Sequence, residues 1–358
     1  MDYDSPVKLP SLLPFRRIRL HALYAAILLG AQAGAVACSL PVFRYALDRW
    51  PADAFRLQAP AAALEIEAIA SDLRLDAGLR ANLEALPADG AADQPAKLLF
   101  PLETDETFVL WSGALDAASY RTLTDSPARA EIARRLLAGE SAVWVLVESG
   151  ERAADEALAK EVGDAILAVE ETAELPVIDP EDPTSRIGPG PKLKADFSVL
   201  RVSRSAAEEQ VFLAMLAGPS GLDAFPKTHP FLALVFGRGR VLDSWPADKV
   251  TAQLIQEASG FLLGACSCEV KHLNPGWDLL MRVNWDEELG KVEDARLASG
   301  EIAAVSVGVP KPETVTYQPA PAPAAGSSPP RISRLAAGTA GGVALLAASL
   351  FFVFKRRA

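Results

Sequence analysis

Residues 126–174 carry a pattern of apolar positions that changes period twice. Ser126 and Pro127 suit the first turn of a helix, because a hydroxyl caps free backbone amides and proline is tolerated there. A helical spacing of apolar residues follows them. Residues 141–150, SAVWVLVESG, then form a short apolar run rich in β-branched residues, and helical spacing returns over residues 153–174. The pattern predicts a helix, a buried strand and a second helix in succession.

The same periodicities predict the elements that follow residue 174. They are a proline-rich loop, a strand at 196–203, a helix at 206–217, a strand at 231–236, a return strand from 241 and a closing helix at 248–265. Gly237 and Gly239 supply the turn between the last two strands. This order is that of a thioredoxin-like domain, which we predict for residues 141–268. His229-Pro230 falls where that fold places a proline, often in the cis form.

The upstream half repeats this order more faintly. Its pattern predicts strands at 54–58 and 81–86, a hairpin of 96–102 with 107–113, and helices at 61–73, near Asp116 and from Ser126. The predicted fold class is α/β, with tandem thioredoxin-like domains at residues 38–139 and 140–309, the second with a C-terminal extension. A different α/β layer in the first half is the alternative.

The amino end has the three parts of a signal peptide. Arg16, Arg17 and Arg19 precede a 15-residue apolar stretch, which ends in the small-x-small sequence Ala35-Val36-Ala37. We interpret residues 1–37 as a cleaved signal peptide. An uncleaved amino-terminal anchor is the alternative, although the stretch is short for a span.

The carboxyl end predicts a membrane anchor. A stalk rich in Pro and Ala, residues 310–334, leads to an uncharged apolar run at residues 335–354 and to the basic tail at 355–358. Twenty residues match the thickness of a bilayer, and the basic cluster is expected to stay in the cytoplasm. Gly338 and Gly342 form a G-x-x-x-G pair, which suggests helix-mediated dimerisation. The alternatives are that these glycines are only spacers and that the tail is a sorting signal, removed after export.

Net charge narrows the choice of partners. The 358-residue chain carries a formal charge of −11, and its two ends are basic, so the predicted ectodomain is more acidic still. An acidic surface repels phosphate backbones, so we expect no nucleic-acid partner. The predicted partner is the lipid bilayer, contacted through the carboxy-terminal helix. No motif indicates a cofactor.

The three cysteines allow several arrangements. Cys38 follows the predicted cleavage site, and Cys266 and Cys268 form the sequence CSC. Cys38 is a candidate for lipidation, or for a disulfide with Cys266 or Cys268 that leaves a third thiol able to attack it. A metal site formed by Cys266, Cys268 and His272 is a weaker candidate, because zinc sites need four ligands and the sequence offers no second pair of cysteines. Burial of the cysteines as apolar residues, or a structural bridge, is the plainer interpretation.

Several segments resemble a group of uncharacterised exported bacterial proteins. These segments are ACSLPVFRYALDRWPAD, SPARAEIARRLLAGESAVWVLVESG, VFGRGRVL and GACSCEVKHLNPGWDLLM. The resemblance covers most of the predicted ectodomain. It implies a bacterial exported protein, and it supplies no catalytic residue. Together with the predicted carboxy-terminal span, this predicts a single-pass protein of the bacterial cell (inner) membrane, with its ectodomain in the periplasm or outside the cell.

A thiol oxidoreductase of the thioredoxin-like fold needs C-x-x-C at the start of its first helix. This chain has Glu151, Arg152, Ala153 and Ala154 there, so the sequence indicates no catalytic residue and does not favour an enzyme. Two functions remain. The first is an extracytoplasmic, membrane-anchored binding or scaffold protein of unknown ligand, and the alternative is a redox or metal-handling protein that uses Cys266 and Cys268.

Overall fold

The chain forms two β-sheets, of which the first has four strands. The computed structural model describes residues 39–74, 81–88, 94–101, 108–179, 182, 185–266 and 270–302. The strands of the first sheet are β1 (Phe55–Pro60), β2 (Leu83–Ala88), β3 (Ala96–Leu99) and β4 (Val109–Gly113). Their spatial order is β2-β1-β3-β4, with β1 parallel to β2 and the other two pairs antiparallel.

The second sheet has five strands in a related arrangement. They are β5 (Ala142–Glu148), β6 (Phe197–Ser203), β7 (Phe231–Phe236), β8 (Arg240–Pro246) and β9 (Trp277–Asp278). The order is β6-β5-β7-β8-β9, with β5 parallel to β6 and the remaining neighbours antiparallel. The first four strands of each sheet therefore follow the same spatial order and the same pattern of directions.

Nine α-helices occur in the described part of the chain. They are α1 (Val42–Arg49), α2 (Ala61–Leu64), α3 (Glu67–Arg74), α4 (Ala117–Thr124), α5 (Pro127–Leu137), α6 (Arg152–Thr172), α7 (Gln210–Ala217), α8 (Ala252–Leu263) and α9 (Trp285–Ala298). Short 3₁₀ turns lie at Ala207–Glu209, Gly218–Ser220, Leu222–Ala224, Ala247–Lys249 and Lys271–Leu273.

Strand β5 is buried on both faces, which places it between two apolar layers. Val143, Val145 and Val147 face a core shared with the first sheet and with α4, α5 and α7. Trp144 and Leu146 face the other way, into a core built with α1, α6 and α8. Alternate side chains of a strand point to opposite faces, so a continuous apolar run is what a strand buried on both sides requires.

The predicted strands and most of the predicted helices are confirmed. Asp116 accepts hydrogen bonds from the amides of Ala118 and Ser119 at the start of α4, and Ser126 caps α5 with a proline at its first turn. Gly237 has φ +58° in the turn between β7 and β8. A Cβ on Gly237 would lie 2.7 Å from the Cβ of Ala46, so glycine is needed there both for its conformation and for its lack of a side chain.

Helices α1 and α9 and strand β9 were not predicted. Helix α1 lies in the chain before the first sheet, yet it packs in the core of the second. Near the carboxyl end of α1, the carbonyl of Leu47 accepts a hydrogen bond of 2.8 Å from the Nε of Arg238. All described residues belong to one compact unit, and the predicted boundary near residue 139 stays a prediction.

A buried ion pair on α1 holds part of the proline-rich loop. The Arg44 Nε lies 3.0 Å from a carboxylate oxygen of Asp48, and the Arg44 guanidinium donates to the carbonyls of Gly188 and Pro191, each at 2.6 Å. Asp48 accepts the amide of Gly188 at 2.8 Å. Burial raises the pKa of Asp48, and the Arg44 charge opposes that rise. These bonds satisfy backbone groups that no regular structure pairs.

Two of the sequence-based expectations concern a membrane-spanning helix and a cis peptide bond before Pro230. None of the helices in the ranges given above has the length and apolar content that a membrane span requires, and the predicted signal peptide, stalk and span lie outside those ranges. The described residues also contain no cis peptide bond, so the peptide between His229 and Pro230 is trans.

Candidate functional site

The turn between strand β5 and helix α6 is held by a buried carboxylate. Asp155, in the first turn of α6, is 4 % exposed. One of its oxygens accepts the amide and the hydroxyl of Ser149, both at 2.9 Å, and the other accepts the amide of Gly150 at 2.9 Å. Helix starts leave free amides that favour negative groups. Asp155 accepts instead the amides of two residues that precede the N-cap residue, Glu151, and so it fixes the turn that leads into the helix.

Sequence reasoning identified Glu151–Ala154 as the wrong residues for redox chemistry but did not identify Asp155. The side chain of Glu151, which precedes the helix, makes no capping hydrogen bond. An acidic residue in the first helical turn was the available signal. Its partners became apparent only from the path of the chain between β5 and α6.

Cys266 lies beside the beginning of the described chain. Its side chain is 1 % exposed and belongs to the core of the second sheet. The amide of Cys266 donates to the carbonyl of Leu40 at 2.8 Å, and the amide of Val42 donates to Gly264 at 3.0 Å. Cys38 and Cys268 lie outside the described residues. The structure therefore brings Cys266 close to Leu40, two residues from Cys38, and the pairing of the cysteines stays a prediction.

His272, the third member of the predicted metal site, lies at the protein surface. It lines a cavity of about 260 Å³ together with Phe100, Trp277 and Arg240. Within the ranges that the structure describes, no three His, Cys, Asp or Glu side chains are grouped closely enough to hold a metal ion. Since Cys268 lies outside those ranges, the metal site stays untested.

A buried ionic cluster adjoins this cavity. It connects the residues just before β1, in the first sheet, with β9 at the edge of the second sheet. Asp278 of β9 lies 3.1 Å from the Arg240 Nη1 and also pairs with Lys271, which lies 2.8 Å from Asp53. Asp278 accepts the amide of Asp53 at 2.6 Å. Burial raises the pKa of Asp278, while the nearby Lys271 charge lowers it. Two cations face two carboxylates, so the cluster is compensated within the chain.

Arg240 also anchors the segment that leads from Cys266 to β9. Its guanidinium donates to the carbonyls of Asn274, Pro275 and Gly276 at 2.9 to 3.1 Å. These bonds hold the segment before β9 against the start of β8. No sequence motif indicated this cluster, because its members are separated by up to 225 residues.

A second cleft, of about 400 Å³, lies beside α5 and is lined by side chains from α5 and from the segment between β9 and α9. Its lining includes Arg129, Arg134 and Arg282 over an apolar base. Sequence reasoning did not identify this cleft.

Comparison with protein-family models, with curated proteins and with solved structures finds no match for this chain.

Proposed function

We propose that this chain is an extracytoplasmic, membrane-anchored binding or scaffold protein built from two thioredoxin-like units. The strand order shared by the two sheets supports the fold assignment, because a parallel pair followed by an antiparallel hairpin is the arrangement expected of that fold. The predicted signal peptide, stalk and span at residues 335–354 support the location.

The observation that carries the choice of a non-redox function is the carboxylate at the start of α6. A reactive thiol needs a position where helix amides lower its pKa. In this chain, residues 149–155 contain no cysteine at the start of α6, and the carboxylate of Asp155 accepts the amides of Ser149 and Gly150 in the turn before the helix. A unit that keeps the fold without this chemistry is suited to binding a partner.

Membrane topology is tested on the full chain expressed in a bacterial host. A reporter fused after Ala358 should be protected from protease in spheroplasts, whereas the region before residue 310 should be cleaved. Protection of both regions would refute the extracytoplasmic location. A soluble full-length product after cell lysis would refute the anchor.

Redox activity is tested by reduction of insulin with dithiothreitol as electron donor. We expect the full chain to give the same rate as a variant in which all three cysteines are serine. A rate above that of the variant would overturn the non-redox assignment.

The alternative function, redox or metal handling by Cys266 and Cys268, has one specific observation in its favour. The backbone pairing of Leu40 with Cys266 is antiparallel. Cys38 is two residues before Leu40 in the sequence and Cys268 is two residues after Cys266, and both lie outside the described residues. The 1 % exposure of Cys266 argues against that thiol as an attacking group, because reactive thiols are accessible.

Peptide mapping of the full chain without reductant separates these cases. A Cys38–Cys268 bridge that resists mild reduction would be structural and consistent with the favoured function. A bridge that opens at mild potential, or a purified protein containing stoichiometric zinc, would favour the alternative. A diacylglycerol adduct on Cys38 would exclude a bridge at that residue.

A further inference from the structure

Strand β6 forms one edge of the second sheet, and no other strand in the described part of the chain pairs with its outer side. The amide of Arg204 donates to the carbonyl of Glu148 at 3.1 Å, and the carbonyl of Asp196 accepts the amide of Ser141 at 2.7 Å. Backbone groups of successive strand residues point to opposite sides of the strand. The even-numbered residues of β6 therefore face β5, and the odd-numbered residues turn their backbone groups outward.

Side chains from two helices occupy this outer edge. Glu170 of α6 accepts the amide of Phe197 at 2.7 Å. The Nη1 of Arg135, in α5, donates to the carbonyl of Val199 at 3.1 Å. These two side chains therefore use backbone groups that a neighbouring strand would otherwise pair with.

Arg135 is fixed in this position by two further contacts. Its Nε lies 2.7 Å from the carboxylate of Glu131, one turn earlier in α5. Its Nη1 also donates to the hydroxyl of Ser198 at 2.8 Å. The Arg135 side chain is only 18 % exposed, so the guanidinium is held over the edge of β6 and is not a freely solvated surface charge.

Without these contacts, β6 would be well suited to pair with another strand. It has seven residues, it contains no proline, and Arg201 is its only charged residue. An uncovered strand edge of this kind is a template for association between chains. The contacts from α5 and α6 therefore cover an edge that needs protection.

The two contacts block the pairing of β6 with the β6 of a second copy of the chain. An antiparallel pair centred on Val199 would place Phe197 opposite Arg201, and each pair of facing residues would exchange both backbone hydrogen bonds. The Phe197 amide and the Val199 carbonyl are already bonded. In each copy, only the Arg201 amide could then still donate, to the Phe197 carbonyl of the other copy.

The equivalent edge of the first sheet, strand β2, is blocked in another way. The amide of Phe55 donates to the carbonyl of Asn82 at 2.9 Å, so the odd-numbered residues of β2 point away from β1. The amide of Leu83 donates to the carbonyl of Ala81 at 2.8 Å, and Pro87 has no N–H to donate. Both of these outer edges are therefore unsuited to the addition of a strand.

We propose that Arg135 and Glu170 are guards that prevent the chain from pairing with a second copy of itself through β6. Natural sheets protect their edges with proline, charges or covering elements. Here two charged side chains protect the edge by bonding directly to the strand backbone. This device is separate from the proposed binding function, which does not require it.

The test uses a fluorescent peptide with the sequence of residues 196–204, DFSVLRVSR, and the full chain in detergent. Fluorescence anisotropy measures binding of the peptide. The double variant Arg135→Met, Glu170→Met should bind it about tenfold or more tightly than the unmodified protein, because two backbone groups become available for hydrogen bonds. A peptide with the same residues in scrambled order should show no such gain.

The matched control is Glu156→Met. Glu156 lies on α6, as Glu170 does, but it bonds to the side chain of Arg201. This change should leave the affinity for the peptide unchanged. Should the double variant fail to fold, the single variants Arg135→Met and Glu170→Met decide the question, and each should bind the peptide a few-fold more tightly than the unmodified protein.

A second measurement needs no peptide. Hydrogen exchange of the Phe197 amide, followed by NMR, should be faster in Glu170→Met than in the unmodified protein, because the amide loses its acceptor.

Equal affinity of the unmodified protein and the folded variants for the peptide, an equal gain in Glu156→Met, or unchanged exchange at Phe197 would overturn the proposal. These readouts are separate from the insulin and spheroplast assays, which test the proposed function.

Discussion

Replacing Asp155 by alanine tests whether the start of α6 is held by an internal carboxylate. The change removes the acceptor for three hydrogen bonds of 2.9 Å, two from Ser149 and one from Gly150. The Ser149 amide is half-buried, so its loss of a partner carries most of the cost of an unsatisfied donor, about 1–3 kcal/mol. Gly150 is exposed, so water replaces much of its lost bond.

We therefore expect Asp155→Ala to lower the free energy of unfolding by about 1–3 kcal/mol. The assay is urea unfolding of the full chain in detergent, followed by tryptophan fluorescence, because the fully buried Trp144 lies on the neighbouring strand β5. The free energy of unfolding of Asp155→Asn should lie between those of the unmodified protein and Asp155→Ala. The asparagine amide keeps one acceptor oxygen but turns an N–H donor toward the amide of Gly150.

The matched control is Glu156→Ala, the same truncation at the next residue of the same helical turn. Glu156 is 54 % exposed and pairs with Arg201 on the surface. The unfolding midpoint of the Glu156→Ala variant should therefore stay close to that of the unmodified protein. The reasoning is refuted if Asp155→Ala and Glu156→Ala have the same midpoint.

Three further predictions concern other parts of the fold. Gly276→Ala should prevent stable folding, because Gly276 has φ +102° and a Cβ there would lie 2.1 Å from the Val241 carbonyl oxygen. The control is Gly260→Ala in α8, where a Cβ would meet no atom within 4 Å. This control should leave the thermal melting temperature unchanged or raise it slightly. Asp278→Asn should destabilise by about 3–5 kcal/mol in urea, because Arg240 and Lys271 would be left with one carboxylate; a loss below that of an exposed pair would contradict the role of this cluster. Hydrogen bonds from Arg134 and Arg135 lower the pKa of Glu131 to about 2. The stabilising effect of the Glu131 carboxylate should therefore be present above the ordinary glutamate pKa and be lost as the pH falls toward 2. A carbon NMR titration of the Glu131 carboxyl measures its pKa, which Arg134→Gln should raise.

Local elements of this fold could be predicted because their signals are local. Ser126 and Pro127 mark the start of α5, and the apolar run at residues 141–150 marks β5, without reference to distant residues. Helix α9 escaped prediction since its buried side chains include only Trp285 and Leu289 in fourteen residues. So short an apolar stripe gives a weak periodic signal.

The candidate site was predictable only in part. The absence of C-x-x-C before α6 follows from the sequence, but the partners of Asp155 depend on how the chain turns after β5. The cleft beside α5 joins Arg129 to Arg282, which are far apart in the chain, so no spacing motif could indicate it. Cys266 was selected as a candidate, and its closeness to Leu40 was not foreseen.

The sequence by itself determined the succession of strands and helices, the turn at Gly237 and Gly239, and the expectation of an acidic, exported and anchored chain. These depend on periodicity, charge and backbone conformation, which act over a few residues. The tertiary structure alone decided that α1 packs on the second sheet, that Asp53 joins Asp278, and that two arginines share a cleft. Such contacts are selected by the burial of apolar surface and the pairing of buried charges, which involve residues distant in the chain.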